Sequence, residues 1–420
     1  MELKPGYKQT EVGLIPEDWE IARLGDKTTK IGSGITPTGG ARVYKKEGRP
    51  FIRSQNVGWG ALLLDDMVFI DEKTHTTFPD TEIKIDDVFL NITGASIGRS
   101  AIADNRVQRG NVNQHVCIIR TNQEELHSLF LNYLLLSNVG QRQIDSFQAG
   151  GNRQGLNFGQ VRSFRLPLPR KSEQQAISNL LSDVDVLINS LEKLITKKHN
   201  LKQAAMQQLL TGQIRLPGFH GEWQTRTLGD LITHCSSGAT PRRNIPHYYK
   251  GDIRWITSGE LNYNRITDTT EKITSEAVAQ TNLKILPKGT FLMAITGLEA
   301  EGTRGSCGIV GEPSTTNQSC MAIFPTSELL NEYLFYYYVL RGKALALQYC
   351  QGTKQQSYTA RLVKRLPITL PSTTDEQAAI VDVLSDIDVE LTALEARRDK
   401  TRALKQGIMQ ALLTGKVRLI

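Results

Sequence analysis

The sequence contains few of the features that mark secreted, membrane-spanning or metal-binding proteins. Its five cysteines (positions 117, 235, 307, 320 and 350) form no Cys-x-x-Cys pair, which excludes a disulfide framework and a paired-cysteine zinc site. No stretch approaches roughly 18 consecutive apolar residues, and the N-terminus lacks a basic segment followed by an apolar one. We therefore expect a cytoplasmic protein with no membrane contact and no bound metal.

Motifs that carry catalysis are also missing. The sequence has no phosphate-binding GxxxxGK[ST] loop, no GxSxG or HExxH string, and no Asx-Pro-Pro-aromatic string of the kind that amino-methyltransferases use. Pro79-Asp80 followed by Glu82 and Lys84 resembles a nuclease signature. Its two acids are separated by one residue, so they cannot flank a metal ion from adjacent strands. The sequence therefore favours binding over chemistry, and we expect no catalytic residues.

The composition is that of a globular protein. Of the 420 residues, 39% are hydrophobic and 22% are charged, which excludes wholesale disorder. The length allows roughly two to four domains. The formal net charge of +7 permits a polyanionic partner and excludes an acidic-tailed protein.

The chain is an internal duplication. Glu173–Leu216 aligns without gaps on Glu376–Leu419, and just over half of the aligned residues are identical. Weaker matches precede these segments: the string SGITP (33–37) recurs as SGATP (237–241), and Asn113-Gln114 recurs as Asn317-Gln318. A repeat of this length is too long for a solenoid. It predicts two copies of one unit, each a variable globular domain followed by a helix.

The repeated segments are predicted to be long helices. Apolar residues recur in alternating steps of three and four, which indicates a heptad seam. Such a seam must be covered, either by the globular domain of the same copy or by the other helix. Pairing of the two helices buries both seams in one step and is favoured, in a parallel or an antiparallel arrangement. The residues predicted to hold the pair are Ile177, Val184, Leu191 and Leu201 in the first helix and Ile380, Ile387, Leu394 and Leu404 in the second.

The fold class predicted from these patterns is α+β. Short runs such as 51–57, 87–94 and 115–121 in the first copy, and 252–259 and 289–297 in the second, are typical of strands bounded by turn residues. One helix follows in each copy, at 127–137 and 328–341, where Tyr333 and Tyr336–Tyr338 are expected in the core. The predicted boundaries are an N-terminal arm (1–16), a first mixed, β-rich domain (17–170), a first helix (171–213), a linker (214–220), a second mixed, β-rich domain (221–371) and a second helix (372–416).

Polar, acid-poor loops in both domains point to nucleic acid. Arg, Asn and Gln make bidentate bonds to base edges, and Arg and Lys neutralise phosphates. The loops 148–160 and 351–358 combine these residues with Gly and Ser beside basic stretches. The candidate DNA-binding residues in the first domain are Arg53, Gln55, Asn56, Arg99, Asn113, Gln114, Asn152, Arg153, Gln154 and Asn157. Those in the second are Arg242, Arg243, Asn262, Asn264, Arg304, Asn317, Gln318, Lys354, Gln355, Gln356 and Tyr358.

The whole chain resembles the specificity subunits of type I restriction-modification enzymes. The resemblance rests on YKQTEVGLIPEDWE (7–20), on the Leu-Pro strings before the helices (166–169 and 366–371), and on the matching starts and LLTG ends of the two helices. The order of variable domain and shared helix, repeated once, is itself specific to that family.

The resemblance implies a function for each part. The two domains would be target-recognition domains, each reading one half of a gapped double-stranded DNA site. The helices would form an antiparallel coiled coil that spaces the domains and docks two modification subunits. Those subunits would bind S-adenosylmethionine and methylate adenine, and restriction-translocase subunits would use ATP and Mg²⁺. This chain would bind no cofactor and would not be an enzyme. A coiled-coil adaptor without a DNA role, or a self-contained DNA-modifying enzyme, remains the alternative.

Overall fold

The computed structural model describes residues 5–148, 155–298, 303–350 and 356–419. The chain divides into two units, one made of residues 1–192 and 397–420 and the other of residues 193–396. Each unit contains one globular domain together with parts of both long helices.

The first unit contains mostly short strands before its long helix. The strands are β1 (Tyr7–Thr10), β2 (Gly13–Pro16), β3 (Glu20–Arg23), β4 (Thr28–Ser33), β5 (Arg49–Ile52), β6 (Val68–Ile70), β7 (Val88–Asn91), β8 (Ser100–Ile102), β9 (Asn111–Val112), β10 (Val116–Thr121) and β11 (Arg165–Leu168). The helices are α1 (Glu72–His75), α2 (Ser128–Leu136), α3 (Asn138–Gln148), α4 (Phe158–Ser163) and the first part of α5 (Lys171–Leu209).

A four-stranded antiparallel sheet, in the order β4-β10-β7-β8, lies at the centre of the first domain. Alternate residues of β7 face two different cores: Val88 and Leu90 pack in one, and Phe89 packs in the other. Because both faces of the sheet are covered, the strand is apolar up to Asn91, its last residue. A second sheet, β6-β5-β9, pairs β5 with β9 in parallel.

The second unit has the same kind of elements. Its strands are β12 (Gln224–Thr227), β13 (Ile232–Ser237), β14 (Ile253–Ile256), β15 (Asn264–Ile266), β16 (Lys272–Ile273), β17 (Phe291–Ala294), β18 (Cys307–Val310), β19 (Ser314–Thr316), β20 (Cys320–Pro325) and β21 (Pro367–Leu370). Its helices are α6 (Leu228–Leu231), α7 (Ser275–Gln280), α8 (Asn331–Tyr349), α9 (Ala360–Lys364) and the first part of α10 (Thr374–Leu413).

The sheet order of the second domain repeats that of the first. Its main sheet is β13-β20-β17-β18 with β15 added at the edge, and its second sheet is β16-β14-β19. Helix α8 packs on the main sheet, and Tyr333 and Tyr336–Tyr338 are buried in the core, as the sequence predicts. The mixed, β-rich domains and the duplication are therefore confirmed.

In the first unit, α5 and α10 lie antiparallel. Asp185 of α5 is 2.6 Å from Lys405 of α10, and Glu192 pairs with Arg402. Residue numbers rise along α5 while they fall along α10. Such charge pairs flank the apolar seam of a coiled coil and fix which residues face each other.

The second unit pairs the helices in the same way. Lys202 of α5 is 2.5 Å from Asp388 of α10, and Lys198 pairs with Glu390. The numbers again run in opposite directions. The antiparallel coiled coil that the family resemblance implies is therefore present in both units.

Leu201 and Leu404 correct the predicted seam. They are 51% and 53% exposed, so these two side chains do not hold the helix pair. In the middle of α5 the buried residues are Ile188, Leu191 and Ile195, of which only Leu191 is among the residues predicted to hold the pair. The α5 sequence carries two adjacent apolar stripes, and the partner selects one of them.

The other predicted seam residues differ in what they contact. Ile177 and Ile380 are fully buried, but each belongs to the core of its own domain. Val184, Ile387 and Leu394 are half-buried. The apolar seam of each helix is therefore covered first by its own globular domain, where the helix begins, and then by the other helix.

A reciprocal ion pair joins the start of each helix to the segment after the other. Glu173, at the start of α5, is buried and receives two hydrogen bonds from Arg418, at 2.6 and 2.8 Å. Arg418 also binds Asp18 and lies over the ring of Trp19. Hydrogen bonding to Glu173 and Asp18 raises the pKa of Arg418, and the guanidinium lowers the pKa of Asp18.

The second unit repeats this contact. Glu376, at the start of α10, is 1% exposed and is held by Arg215 at 2.5 and 2.7 Å. The indole of Trp223 donates to the same carboxylate at 3.4 Å. Arg215 and Arg418 occupy equivalent positions after the two LLTG strings. A buried carboxylate without its arginine would be strongly destabilising.

A tyrosine in each domain completes the attachment of the helices. The Tyr133 hydroxyl donates to Asp185 at 2.8 Å, and the Tyr336 hydroxyl donates to Asp388 at 2.8 Å. Burial, together with the neighbouring carboxylate, raises the pKa of both phenols. They therefore remain protonated donors at neutral pH.

The seam register can be tested with a matched pair of leucines. Leu191→Ala removes a buried side chain and should lower the free energy of unfolding by about 2–5 kcal/mol. Leu201→Ala alters an exposed side chain and should change it by less than about 0.5 kcal/mol. Chemical denaturation followed by far-UV circular dichroism measures both. Equal losses would contradict the register.

Candidate DNA-recognition face

Three loops of the first domain converge on one surface. The Gly34 amide donates to the Asn113 carbonyl at 3.2 Å, and the Thr36 hydroxyl donates to Gln114 Oε1. His115, the next residue, contacts Thr93 through Nδ1 at 2.6 Å. Thr93 in turn pairs with Gly155, which lies within the polar loop 148–160. We call the loops 33–43, 91–99 and 113–115 the recognition face of the first domain.

The second domain builds the same surface from equivalent loops. The Thr240 hydroxyl donates to Gln318 Oε1, as Thr36 does to Gln114. The Ile295 amide donates to the Ser319 carbonyl at 2.9 Å, which joins the following loop to this turn. The Leu298 amide donates to the Gln356 carbonyl at 3.2 Å. We call the loops 237–247, 295–298 with 303–306, and 317–319 the recognition face of the second domain.

One glycine in each domain explains why the SG-x-TP string recurs. A Cβ atom on Gly34 would lie 1.7 Å from the Val112 carbonyl oxygen, and one on Gly238 would lie 1.8 Å from that of Thr316. No side chain fits at this distance, so only glycine lets the two loops approach. The contact fixes the threonine loop against the Asn-Gln turn in both domains.

Most segments that form the two recognition faces lack acidic residues. The segments 28–46, 88–103 and 313–327 contain no Asp or Glu, and neither does 232–251, whereas Glu299 and Glu301 fall between the two described parts of the 295–306 loop. Arg42 and Arg242 are exposed, and no carboxylate within the described ranges pairs with either guanidinium. An acid-poor polar surface with exposed arginines suits the phosphate backbone of DNA.

Several predicted residues lie on these faces. They are Arg99, Asn113 and Gln114 in the first domain and Arg242, Arg304, Asn317, Gln318 and Gln356 in the second. Asn113 is 7% exposed and accepts a hydrogen bond from the His115 amide, so it shapes the turn. Asn317 accepts the same bond from Ser319. That any of these residues contacts DNA stays a prediction.

Other candidates in the first domain are used internally. Arg53 and Gln55 both bind Asp66. Asn56 is fully buried, and its amide donates to the Leu63 carbonyl and to Asp66. Asn56 is therefore corrected to a structural residue, because a side chain with no exposed surface cannot reach a base.

Candidates in the second domain are also committed elsewhere. Arg243 makes two hydrogen bonds with Glu271, at 2.6 and 2.9 Å, and stacks on Tyr249 and Trp255. Tyr358 is 3% exposed and packs in the core, so we correct it to a structural residue.

The remaining candidates have other roles or lie outside the described residues. Asn157 caps α4 by accepting the Gln160 amide at 2.8 Å. Asn262 and Asn264 line a cleft of about 880 Å³ beside Lys202 of α5. The positions Asn152, Arg153, Gln154, Lys354 and Gln355 lie outside the residues that the structure describes.

Sequence reasoning missed Thr36, Thr240, Arg42 and His115. The threonines belong to the SG-x-TP string that occurs in both copies, so comparison of the two copies could have identified them. Nothing in the linear sequence placed that string next to Asn113-Gln114, because the two segments are 78 residues apart.

Two features of the described residues bear on catalysis. No group of three His, Cys, Asp or Glu side chains within them could hold a metal ion. Burial raises the pKa of the Cys117 thiol to about 12, and it also raises the pKa of Cys307 and Cys320. These thiols are therefore poor nucleophiles at neutral pH. None of the helices in the described ranges combines the length and apolar character that crossing a membrane requires.

A family comparison assigns the chain. The sequence model of the family described as "Type I restriction modification DNA specificity domain" matches residues 16–203 and 220–402. The chain belongs to this family. It is therefore a non-catalytic DNA-recognition subunit of a type I restriction-modification system, with DNA and the other subunits of that system as partners. The adaptor and the self-contained enzyme are not favoured.

Individual relatives agree along the whole length. A putative type I restriction enzyme specificity subunit, MjaX, from Methanocaldococcus jannaschii is 23% identical over 98% of this chain and 97% of that protein. The EcoKI specificity subunit of Escherichia coli is 20% identical over 96% and 89%. The crystal structure of a type I restriction-modification S subunit from M. genitalium has a TM-score of 0.61 at 13% identity, covers 98% of each chain, and supports the fold.

Adjacent arginines of the second recognition face test its assignment. Arg242→Ala should leave stability within about 0.5 kcal/mol and reduce the slope of log affinity for DNA against log salt by about one, because it removes one phosphate contact. Arg243→Ala, which breaks an ion pair and an aromatic stack, should instead lower stability by about 1 kcal/mol. DNA titrations at several salt concentrations and thermal melts separate the two. An unchanged slope for Arg242→Ala would contradict the assignment.

Proposed function

We propose that each domain of this chain reads one half of a bipartite, gapped DNA site, while the two helices set the gap and dock two modification subunits in the cytoplasm. Those partners would bind S-adenosylmethionine and methylate adenine within the site. Restriction-translocase subunits would add ATP- and Mg²⁺-dependent cleavage. The chain itself would contribute no cofactor.

The recurrence of one recognition face in both domains supports this proposal. The same Thr-Gln contact and the same close glycine appear twice, whereas the residues around them differ. His115 stands where the second domain has Ser319, and Thr38 stands where it has Arg242. Two recognition faces that share these contacts but differ in the surrounding side chains suit a DNA site whose two halves have different sequences.

Methylated-base mapping tests the proposal directly. The full chain would be co-expressed with its modification subunits, and the methylated adenines would be mapped on genomic DNA. We expect one gapped sequence motif. Replacing residues 221–371 by the corresponding domain of a relative should change one half of the motif and leave the other half and the gap unchanged. A change in both halves would contradict separate reading.

The helices offer a test of the gap. A heptad inserted after Glu192 in α5, together with one after Ala396 in α10, would preserve the seam register and the contacts within each unit. Seven residues lengthen a helix by about 10.5 Å. DNA rises about 3.4 Å per base pair, so the gap should grow by about three base pairs.

The control for this prediction is an insertion in α5 alone, which leaves the added residues without a partner and should abolish methylation. Methylation by the double variant at the original gap would contradict the spacer role of the helices.

The outward surface of the helices supports their docking role. Leu180 and Leu187 in the first unit are 36% and 41% exposed, and Leu194 and Leu201 in the second are 41% and 51% exposed. These four leucines recur every seven residues on α5. Exposed leucines in this number are unusual on a solvated helix and suit a partner subunit.

Leu201→Glu tests this docking surface. The side chain is exposed, so the variant should fold and melt like the unchanged protein, whereas its affinity for modification subunits should fall at least roughly tenfold through loss of apolar contact. Lys197→Glu, an exposed change on the same helix, controls for added charge. Size-exclusion chromatography with light scattering measures the assembly. Normal assembly of Leu201→Glu would contradict the assignment.

A further inference from the structure

The two recognition faces share one polar contact that their neighbouring residues do not share. Thr36 and Gln114 in the first domain, and Thr240 and Gln318 in the second, are the same residue types at the same separation of 78 residues. In both pairs the threonine hydroxyl donates to the glutamine Oε1. Both glutamines are exposed. The contact therefore holds a surface amide in one orientation.

The threonine changes what the glutamine can bind. A glutamine that reads adenine uses its oxygen to accept from N6 and its nitrogen to donate to N7. Here the threonine occupies one of the two lone pairs of the oxygen and fixes the plane of the amide, so the oxygen is already engaged while the N–H groups point towards a ligand. Gln318 Nε2 has no hydrogen-bond partner within the described part of the chain. A donor of this kind matches an acceptor-only ligand such as a phosphate oxygen.

In the first domain, the side-chain amide of Gln114 also has one N–H group without a hydrogen-bond partner among the described residues. Gln114 Nε2 donates to His115 Nε2 at 2.9 Å. Because His115 Nε2 accepts, its Nδ1 carries the proton and donates to the Thr93 hydroxyl. One N–H of Gln114 then remains for a ligand. The histidine locks the amide further, and the second domain has Ser319 in that position.

The surroundings of both amides also suit phosphate. The segments that carry the two threonines and the two glutamines contain no acid from 28 to 46, 105 to 123, 232 to 251 and 313 to 327. Arg42 and Arg242 follow the two threonines in the same loops. A neutral donor in an acid-poor segment, with an exposed arginine in the adjoining loop, suits the DNA backbone and not a cation.

We propose that Gln114 and Gln318, each held by its threonine, bind a phosphate oxygen of the DNA backbone in their own half-site and take no part in reading its bases. This inference rests on the proposed function, because it assumes that each domain faces its half-site. The shared contact is then a sequence-independent anchor. Residues that differ between the two faces, such as His115 and Ser319, are left to discriminate bases.

The test uses the full chain assembled with its modification subunits and two duplexes of equal length. One duplex contains the methylated motif of the unchanged complex, and the other has a random sequence. Gln114→Ala and Gln318→Ala should each weaken binding to both duplexes by the same factor, roughly two- to tenfold. The methylated motif should stay the same. The salt dependence of binding should also stay the same, because the lost group is neutral.

Phosphate ethylation interference locates the contact. Gln114→Ala should lose interference at one phosphate of one half-site, and Gln318→Ala should lose it at one phosphate of the other. Thr36→Val and Thr240→Val, which release the amides, should weaken binding in the same uniform way. Gln280→Ala, at the exposed end of α7, serves as a control and should have no effect.

Three results would overturn the anchor: an altered methylated motif, a loss confined to the specific duplex, or unchanged affinity in both glutamine variants. Thermal melts of the variants should match the unchanged complex, since both side chains are exposed. An unchanged complex that binds neither duplex would instead contradict the proposed function.

Discussion

The burial of Glu173 and Glu376 is the constraint on which the rest of the structure depends. Each carboxylate lies at the start of a long helix and would cost several kcal/mol if it were buried without a partner. Its arginine comes from the segment after the other helix, Arg418 for Glu173 and Arg215 for Glu376. Neither helix can therefore begin on its domain unless the other ends beside it, which requires an antiparallel pair and two copies of the repeat.

The contacts that attach the helices to the domains are therefore distinct from the recognition faces, whose residues differ between the two copies. The helix starts, the tyrosines that reach Asp185 and Asp388, and the close approach at Gly34 and Gly238 use the same residues in both copies. None of these contacts needs a particular side chain at positions such as 38 or 115. Divergence of the recognition faces therefore costs the fold little, and new DNA specificity can arise without loss of stability.

The sequence was sufficient to predict the duplication, the helix lengths to within a few residues and the β-rich domains, because these depend on repeats and periodicity. It could not select the seam, since α5 offers two adjacent apolar stripes and only the partner distinguishes Leu191 from Leu201. It also could not tell Arg242 from Arg243. The acid that engages Arg243, Glu271, is distant in the sequence and reaches it only through the fold.

Because the chain contains two copies of one domain, comparing them indicates which residues both copies need, which a single domain could not show. Two copies that diverge keep in common what both still need, and each shared residue must serve the fold, the partner subunits or a feature common to both half-sites. Gly34 and Gly238 serve the fold, because no larger residue fits beside the facing carbonyl. Gln114 and Gln318 are exposed and pack in no core, and the one contact they share among the described residues is the bond from the threonine that orients the amide at the surface. The backbone phosphates are the feature that two half-sites of different sequence share, and an oriented amide donor is suited to bind them.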